Sequence, residues 1–496
     1  MFQSETLIPL TSGAYQARGY VADALICENL FPEANPQDTN PPVAVTHYPR
    51  EGERPWSAPP NAAPGRGLFA LSNGNLIAVV GPSVYYVNPA GVWTLLGQIA
   101  NLPTPVSIKD NGNTAILVDN TPNGYTIALS NNAFAPLVDG TGTFVGATRI
   151  AYSDTYFALN APGTNQWYVS NPLQATFNIL QVAAKATNPD PIETLAFNVR
   201  QAWLIGSTSS EVWFLAGSTP FPYQEWPNIF IPYGCAANYS LTQADVDLFW
   251  LSRNFQGQVI AVKTHGLNIE RITTSALEYE WSNYPIVSDC IASSFQQAGH
   301  TFIVFHFPTA NKSWGYDIQT KQWHRRISLN ALGQQQRENA TFYASVGGPV
   351  GNFAGYAKMV LGQDWQTGQI YSLDPTYFFD GVATPIICRR TFPHLISDMK
   401  EITHVSFVAD FEAGEMPGVA EVKGSQYKLQ MRYSNDGGNT WSPYRQKGLV
   451  TSGNYRRLMR WRGLGMARDR VYELLWSYPG KSALQGAYVD PIKHGA

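Results

Sequence analysis

The sequence predicts an all-β protein with a β-propeller at residues 67–395 and a β-sandwich at residues 396–496. Three observations support this. Short apolar runs such as "LIAVVG", "TAILVD" and "LFWLSR" alternate with Asn, Asp, Gly and Pro from about Gly67 onward. Aromatic residues make up 13% of the chain and charged residues only 14%, while 42 Gly and 34 Pro supply turns between short strands. The runs recur every 35 to 50 residues or so, which is roughly the period of four-stranded propeller blades.

The repeat gives candidate blades that begin near residues 70, 105, 144, 190, 240, 288 and 340. Two hairpins show it most clearly. In "VYYVNPAGVWTL" Tyr86 precedes Trp93 by seven residues, and in "WGYDIQTKQWHR" Tyr316 precedes Trp323 by the same distance. Both are typical of an outer hairpin in which an aromatic residue closes the returning strand. We count seven blades, with six as the alternative because two boundaries are faint.

The two ends of the chain differ from the repeats. Residues 1–66 are predicted to form an irregular segment that packs on the propeller or on a neighbouring subunit. After about Lys400, "YKLQMRYS" alternates between apolar and polar residues, and "THVSFVAD" and "RVYELLW" add further strands. This pattern predicts a compact β-sandwich that is separate from the repeats.

Composition and charge exclude several classes of protein. The net charge of −3 gives no general attraction to nucleic acid or to a membrane surface. The N-terminus "MFQSETLIPLTSG" does not have the pattern of a signal peptide, and no apolar run is long enough for a transmembrane helix. The cysteines are far apart and form no C-x-x-C pair, so we expect reduced thiols and no zinc site. They are Cys27, Cys235, Cys290 and Cys388.

One stretch, "RYSNDGGNTWSPYR", contains the Asp-box pattern S-x-D-x-G-x-T-W that is known from sialidase propellers. In such a turn the Asp accepts hydrogen bonds from backbone amides, the glycines adopt positive φ, and the Trp packs beneath. A sialidase needs three arginines, a Tyr nucleophile activated by a Glu, and an Asp acid. Only one good box is present, in the sandwich, so we interpret it as a structural turn. Its residues are Ser434, Asp436, Gly438 and Trp441.

Other catalytic motifs are missing from the sequence. "DGTGTFVG" has glycine spacing one residue too wide for a dinucleotide fingerprint, and no P-loop Lys follows it. There is no G-x-S-x-G elbow and no H-E-x-x-H. His306 is expected to be a core or interface histidine, and Asp245 and Asp247 are expected to cap a turn. We therefore predict no catalytic residue, no cofactor and no metal site.

The segment from Arg432 to Arg470 is strongly basic, with nine Lys or Arg against two Asp, a charge of +7 that leaves −10 for the rest of the chain. Aromatic residues between the cations would suit nucleic-acid binding. The alternation in "YRRLMRWR" instead favours a strand whose arginines pair with acids of a neighbouring subunit. The candidate subunit-contact residues are Arg456, Arg457, Arg460, Arg462 and Arg468.

Several segments carry a resemblance to one family in one consistent order. They are "ICENLFPEANP", "ETLAFNVRQAWLIGSTSSEVWF", "GCAANYSL" with "HGLNIERITTSALE", "TFIVFHFP" with "WGYDIQTKQWHRR", and the basic C-terminal segment. Together they resemble the tail hub, or nozzle, proteins of short-tailed bacteriophages, which are also called packaged-DNA stabilisation proteins. The first 66 residues match this family least well.

The resemblance implies a homo-oligomeric ring, a hexamer, in the virion tail, assembled in the host bacterial cytoplasm. A portal–adaptor ring would lie above it, a plug or needle protein below it, and tail fibres or tailspikes at its side. The ring would close the tail channel after packaging and let DNA pass without sequence-specific binding or membrane insertion. Because arginines lining this channel would hold the polyanion back, we expect most of the five candidate arginines to lie outside the lumen.

The alternative is a propeller glycosidase or glycan-binding lectin, which three acids and a Tyr in a central pocket would favour.

Overall fold

The structure, a computed structural model, describes residues 6–10, 13–16, 24–35, 44–253, 256–347, 358–397, 400–413, 427–449 and 455–493. Strands account for 54% and helices for 3%, which confirms the all-β prediction. Within the described ranges there is one α-helix, α1 (Ser275–Ser282), which begins where the Thr274 side chain accepts a hydrogen bond from the Leu277 amide. A short 3₁₀ helix spans Asn238–Ser240.

The N-terminal strands are β1 (Thr6–Leu7), β2 (Tyr15–Gln16), β3 (Ala24–Leu25), β4 (Cys27–Glu28), β5 (Leu30–Ala34), β6 (Val45–Pro49) and β7 (Gly52–Ser57). Five complete four-stranded antiparallel sheets follow, which we number units 1 to 5. Unit 1 contains β8 (Gly65–Ala70), β9 (Leu76–Val80), β10 (Ser83–Val87) and β11 (Trp93–Gln98); unit 2 contains β12 (Ser107–Asp110), β13 (Thr114–Val118), β14 (Gly124–Ala128) and β15 (Phe134–Pro136); unit 3 contains β16 (Ile150–Ser153), β17 (Tyr156–Asn160), β18 (Gln166–Ser170) and β19 (Phe177–Ala184); unit 4 contains β20 (Ile192–Asn198), β21 (Gln201–Gly206), β22 (Ser210–Leu215) and β23 (Tyr223–Glu225); unit 5 contains β24 (Thr242–Ala244), β25 (Asp247–Arg253), β26 (Val259–His265) and β27 (Asn268–Arg271).

Two further four-stranded units belong to larger sheets. Unit 6 consists of β28 (Ile291–Gln297), β29 (His300–Phe307), β30 (Lys312–Asp317) and β31 (Gln322–Arg325). The hairpin of β32 (Ile327–Leu329) and β33 (Gln335–Arg337) leads to unit 7, which consists of β34 (Ala340–Val346), β35 (Met359–Asp364), β36 (Ile370–Asp374) and the N-terminal strand β7. The remaining strands are β37 (Phe379–Asp380), β38 (Thr384–Pro385), β39 (Cys388–Thr391), β40 (Leu395–Ile396), β41 (Ile402–Glu412), β42 (Lys428–Ser434), β43 (Arg445–Gly448), β44 (Arg456–Arg462), β45 (Met466–Ala467), β46 (Asp469–Trp476) and β47 (Ala483–Lys493).

The units form a closed ring. The first strand of each unit is the innermost one, and the cores lie between the faces of neighbouring units. For example, Ile77 and Val79 of unit 1 share a buried cluster with Ile108 and Leu117 of unit 2. Such clusters join each consecutive pair, and another joins unit 7 to unit 1. The propeller prediction is therefore confirmed, with the hydrophobic effect acting between blades as well as within them.

Unit 7 is closed by residues from near the N-terminus. Strand β7 pairs antiparallel with β36, so that Tyr371 faces Pro55 and Leu373 faces Glu53. This pairing joins parts of the chain that are more than 300 residues apart in sequence. It corrects the expectation that residues 1–66 are irregular, since the described residues of that segment contribute strands to three larger sheets.

The C-terminal strands form two sheets packed face to face. One sheet has the order β44-β41-β47-β6-β5, and the other runs β4-β39-β46-β42-β43. Phe407 and Trp461 of the first sheet share a buried cluster with Met431, Tyr472 and Trp476 of the second. The second sheet also continues into the propeller, because β4 pairs parallel with β31 of unit 6. Strand β4 of the N-terminal segment thus connects the sandwich with the propeller, since it pairs with β39 on one side and β31 on the other.

The aromatic hairpins differ slightly from each other. In unit 6 Tyr316 lies directly opposite Trp323, with ring centres 5.0 Å apart, as the seven-residue spacing predicts. In unit 1 the loop between the two strands, residues 88–92, is one residue longer than the loop of unit 6, residues 318–321, so Tyr86 faces Thr94. The ring that packs on Trp93 is that of Tyr85, at 5.3 Å. Both hairpins are the outer strands of their units.

Candidate functional site

The innermost strands of all seven units surround one cavity of about 510 Å³ on the propeller axis. Its wall is partly aromatic and partly polar, and no Asp or Glu is among the residues that line it, all of which are described. The cavity therefore does not offer the group of three acids that a sialidase-like glycosidase needs. The lining includes Lys109, Arg149, Tyr152, Tyr239 and Leu241.

Two cations face this cavity. Arg149, just before β16 of unit 3, donates from Nη2 to the carbonyl oxygen of Leu241 at 2.6 Å, and its guanidinium lies 6.0 Å from the centre of the Tyr239 ring. It thus reaches past unit 4 to the beginning of unit 5. Lys109 lies on β12 and is open to the space inside the cavity. Burial lowers the pKa of Lys109, and the positive charge of Arg149 lowers it further. Burial also lowers the pKa of Arg149.

The Asp-box is a local turn after β42. The Oδ1 of Asp436 accepts from the Ser434 hydroxyl at 2.6 Å and from the Thr440 amide at 2.8 Å. Gly438 has φ 104°, and the Trp441 indole donates to the Gly438 carbonyl at 2.9 Å. These hydrogen bonds, of which those from the Ser434 and Thr440 side chains have the largest effect, lower the pKa of Asp436 to about 2. The carboxylate is exposed and each of its hydrogen bonds is within the turn, which follows a strand of the sandwich and lines no part of the axial cavity.

Four of the five candidate arginines lie on β44, the terminal strand of its sheet, and Arg468 lies between β45 and β46. Arg456 forms an ion pair of 2.6 Å with the buried Asp410, and Arg460 donates to Ser406 at 3.3 Å. Arg457 is half-buried. Arg462 and Arg468 are exposed, and their side chains have no hydrogen bond or ion pair within the described residues. Part of the basic segment therefore acts inside the sandwich, which leaves these two residues for outside contacts.

Other cations of the basic segment are also used internally. Arg432 forms a bidentate pair with Glu473, with bonds of 2.7 and 3.1 Å. Arg470 is buried, donates to Asn435 and to two carbonyl groups, and lies 4.3 Å from the centre of the Tyr433 ring. The contact between Arg470 and Asn435 fixes the Asp-box turn to the rest of the sandwich.

A buried ionic cluster was missed by the sequence analysis. Arg326 contacts Glu338 at 2.6 Å and also Glu51, while Arg50 contacts Asp380 at 2.7 Å. All five side chains are buried. Burial alone would raise the pKa of Glu338, but the charge and hydrogen bonds of Arg326, and the charge of Arg50, lower it to about 2. The available signal was the density of charges in "YPREGER" and "WHRR", but their pairing depends on the ring closure by β7.

Glu53 belongs to the same cluster, but its pKa shifts in the opposite direction from that of Glu338. Burial, and then the neighbouring Asp380, raise the pKa of Glu53 well above its ordinary value. Its two oxygens accept from the Ala340 amide at 2.9 Å and from the Asn339 side chain at 2.8 Å. The cluster fixes the N-terminal segment between units 6 and 7 and has no opening to solvent that a substrate would need.

The described residues lack the features of two other kinds of site. No group of three or more His, Cys, Asp or Glu side chains is placed to hold a metal ion there. No helix in the described ranges has the length and apolar character needed to cross a membrane. His306 is buried, hydrogen-bonded to the Ser313 hydroxyl at 2.9 Å, and burial lowers its pKa to about 3.

Comparisons with known proteins give one informative match. A family model described as "Bacteriophage P22 Gp10, beta-propeller" matches residues 8–346. A search of curated protein sequences gives no match. Among solved structures, the N-terminal domain of Nup159 has 10% identity and a TM-score of 0.42 and covers 70% of this chain and 98% of that chain. The WD40 propeller domain of Doa1 has 9% identity, a TM-score of 0.39, and coverage of 65% and 98%. The designed protein Ika8 has 9% identity, a TM-score of 0.37, and coverage of 65% and 100%.

Proposed function

Because the chain belongs to the bacteriophage family described as P22 Gp10, beta-propeller, we propose that it is a structural protein of the virion tail. In this proposal it forms the hub or nozzle ring that closes the tail channel after genome packaging and later conducts DNA during ejection. The observation that carries the proposal is the family match, which spans nearly all of the propeller, from residue 8 to residue 346.

The architecture supports a mechanical role. The sheet of unit 6 runs on through β4 into the sandwich, and the buried ion pairs of Arg50 and Arg326 hold the N-terminal segment against units 6 and 7. Breaking such a buried pair is costly, about 3–5 kcal/mol, because a charge is left unpaired. A part of a pressurised tail needs this rigid coupling between its domains.

One exposed edge of the propeller suits contacts with other subunits or tail proteins. The outermost strand of unit 3, β19, exposes Ile179, Leu180 and Val182, and no charged residue occurs from 170 to 184. Long apolar edge strands are an aggregation hazard for an isolated protein and are normally covered. Such edges support the proposal of a homo-hexameric ring with a portal–adaptor ring above, fibres or tailspikes at the side, and a plug or needle below.

In this proposal the DNA runs through the centre of the subunit ring and not along the axis of a single propeller. The axial cavity has a volume of only about 510 Å³, and Arg149 spans it. A duplex occupies far more space, with a major groove alone about 12 Å wide.

The proposal can be tested by the assembly state and by DNA retention. Electron micrographs of the purified chain, alone and with phage particles assembled without it, should show a sixfold ring of about 330 kDa, six times 54.7 kDa. Particles that lack the chain should lose packaged DNA, and adding the purified chain should prevent the loss. A chain that stays monomeric in both settings and leaves DNA leakage unchanged would contradict the proposal.

A further inference from the structure

The axial cavity brings together two cations that have no acidic partner there. We propose that Lys109 and Arg149 bind an oxyanion in this cavity, namely the phosphate or carboxylate group of a small molecule. The inference does not depend on the proposed tail function, since it rests only on the cavity and its lining.

Lys109 points away from the core of its unit. Its neighbour Ile108 is buried in the cluster between units 1 and 2. Because successive side chains of a strand face opposite sides, Lys109 lies on the face of β12 away from this cluster, and it is among the residues that line the cavity. Within the described residues its ammonium group has no hydrogen bond or ion pair. The adjacent Asp110 accepts from the Ser72 and Gly112 amides, at 3.2 and 3.1 Å, and so is engaged in turns outside the cavity.

Arg149 has unused donors. A guanidinium carries five N–H donors, and within the described residues only Nη2 has a partner, the carbonyl oxygen of Leu241. The other nitrogen atoms are not among the buried groups without a partner, so they have some access to the cavity. A neutral carbonyl fixes the position of the guanidinium but leaves its charge uncompensated.

Several buried cations elsewhere in this fold have carboxylate partners, whereas Arg66 and Arg470 are held by neutral acceptors. Arg50 contacts Asp380, Arg326 contacts Glu338, and Lys185 contacts Asp190. The Lys109–Arg149 pair instead combines two like charges in surroundings that oppose charge, as the lowered pKa of both groups reflects. An anion between them would remove the repulsion and restore the interactions lost by desolvation.

The cavity also suits a small molecule. Its volume of about 510 Å³ lies within the roughly 300–1,000 Å³ that is typical of small-molecule sites. Aromatic side chains of several units complete the wall, which would pack against the rest of the ligand. They are Phe69, Tyr152, Phe197, Phe342 and Tyr343.

Calorimetric titration of the purified full chain with inorganic phosphate, and separately with acetate, tests this at constant ionic strength. One of these ions should bind at a single site, and Lys109→Gln or Arg149→Gln should weaken binding about tenfold or more, the loss of one charge-assisted contact. Lys109→Arg, which keeps the charge, should retain binding, and Lys321→Gln, an exposed lysine on unit 6, should not change it. Binding of phosphate but not acetate assigns the phosphate class, and the reverse assigns the carboxylate class.

Thermal unfolding gives a second readout. Because a ligand of the folded state raises the unfolding temperature, the bound anion should raise that of the wild type and not that of the Lys109→Gln, Arg149→Gln double variant. Far-UV circular dichroism shows whether each variant is folded. The proposal is wrong if neither ion binds, or if binding and thermal stabilisation persist in the folded double variant.

Discussion

At the residue scale, the contribution of an ion pair to stability depends more on its burial than on which residues form it. The guanidinium of Arg326 is fully buried between Glu338 and Glu51, whereas Arg200 extends into solvent with 75% of its side chain exposed and pairs with Asp154 at 2.8 Å. Both are arginine–carboxylate pairs. Only the first removes two charges from water, so only the first leaves a large uncompensated charge when one partner is lost.

We predict that Glu338→Ala lowers the free energy of unfolding by about 3–5 kcal/mol, since it leaves two buried arginines without their shared carboxylate. The matched change Arg200→Ala should cost less than about 1 kcal/mol. Urea unfolding followed by tryptophan fluorescence measures both. Equal costs would show that the buried cluster does not stabilise the fold.

The pH dependence of the stability that Glu338 contributes follows from the direction of its pKa shift. Because the folded protein holds the pKa of Glu338 at about 2, below the ordinary value of 4.5, the ionised form is the one that stabilises. Its contribution is present above pH 4.5 and is lost as the pH falls toward 2. The difference in stability between wild type and Glu338→Gln should therefore shrink over that range. A difference that grows as the pH falls would contradict this assignment.

For the Asp-box turn we predict a smaller loss of stability. The carboxylate of Asp436 is exposed, so the amides it binds are hydrated when it is removed. Asp436→Ala should therefore lower the free energy of unfolding by only about 0.5–1 kcal/mol, and Asp436→Asn, which keeps one acceptor, should cost less. Urea unfolding gives both values. Release of sialic acid by the wild type, abolished by either change, would contradict the structural interpretation of the motif.

At the element scale, the sequence shows the strands but not all their partners. Alternation and turn residues predict the four-stranded period, with candidate blades near residues 70, 105, 144, 190, 240, 288 and 340. The inner strands of the structure begin at residues 65, 107, 150, 192, 242, 291 and 340. The short strands β4 and β7 could not be predicted in the same way. Each pairs with segments some 300 residues away, at β31 and β36, and has no local periodicity of its own. The lining of the cavity could likewise not be predicted from the sequence, because Lys109 and Arg149 belong to different units that meet only when the ring closes.

The closure by β7 can be tested at Gly52. An added Cβ there would overlap the carbonyl oxygen of Tyr377, which is backbone and cannot rotate away, whereas an added Cβ at Gly140 would meet open space. Gly52→Ala should therefore destabilise the protein by about 1–3 kcal/mol. The control Gly140→Ala should stay within about 0.5 kcal/mol of wild type. Thermal unfolding compares them, and similar midpoints for both variants would mean that β7 does not close unit 7 tightly.

At the scale of the whole molecule, the charge distribution separates internal from external roles. Arg432, Arg456 and Arg470 are engaged within the sandwich, while Arg462 and Arg468 are exposed. Among the described strands, β44 ends its sheet and no strand pairs with its outer edge. A neighbouring subunit could use both features, since edge pairing supplies hydrogen bonds and the two cations supply selectivity for an acidic surface.

If these two arginines serve subunit contacts, Arg462→Glu combined with Arg468→Glu should weaken ring assembly, and low salt should worsen the defect because like charges then repel over a longer distance. Lys321→Glu, a reversal at an exposed turn of unit 6, should leave assembly unchanged. Sedimentation velocity at two salt concentrations measures this. In that case the wild-type protein should also bind duplex DNA weakly at physiological salt, since these cations would contact protein partners. Tight DNA binding that falls steeply with salt and disappears in the double reversal would instead place Arg462 and Arg468 on the genome.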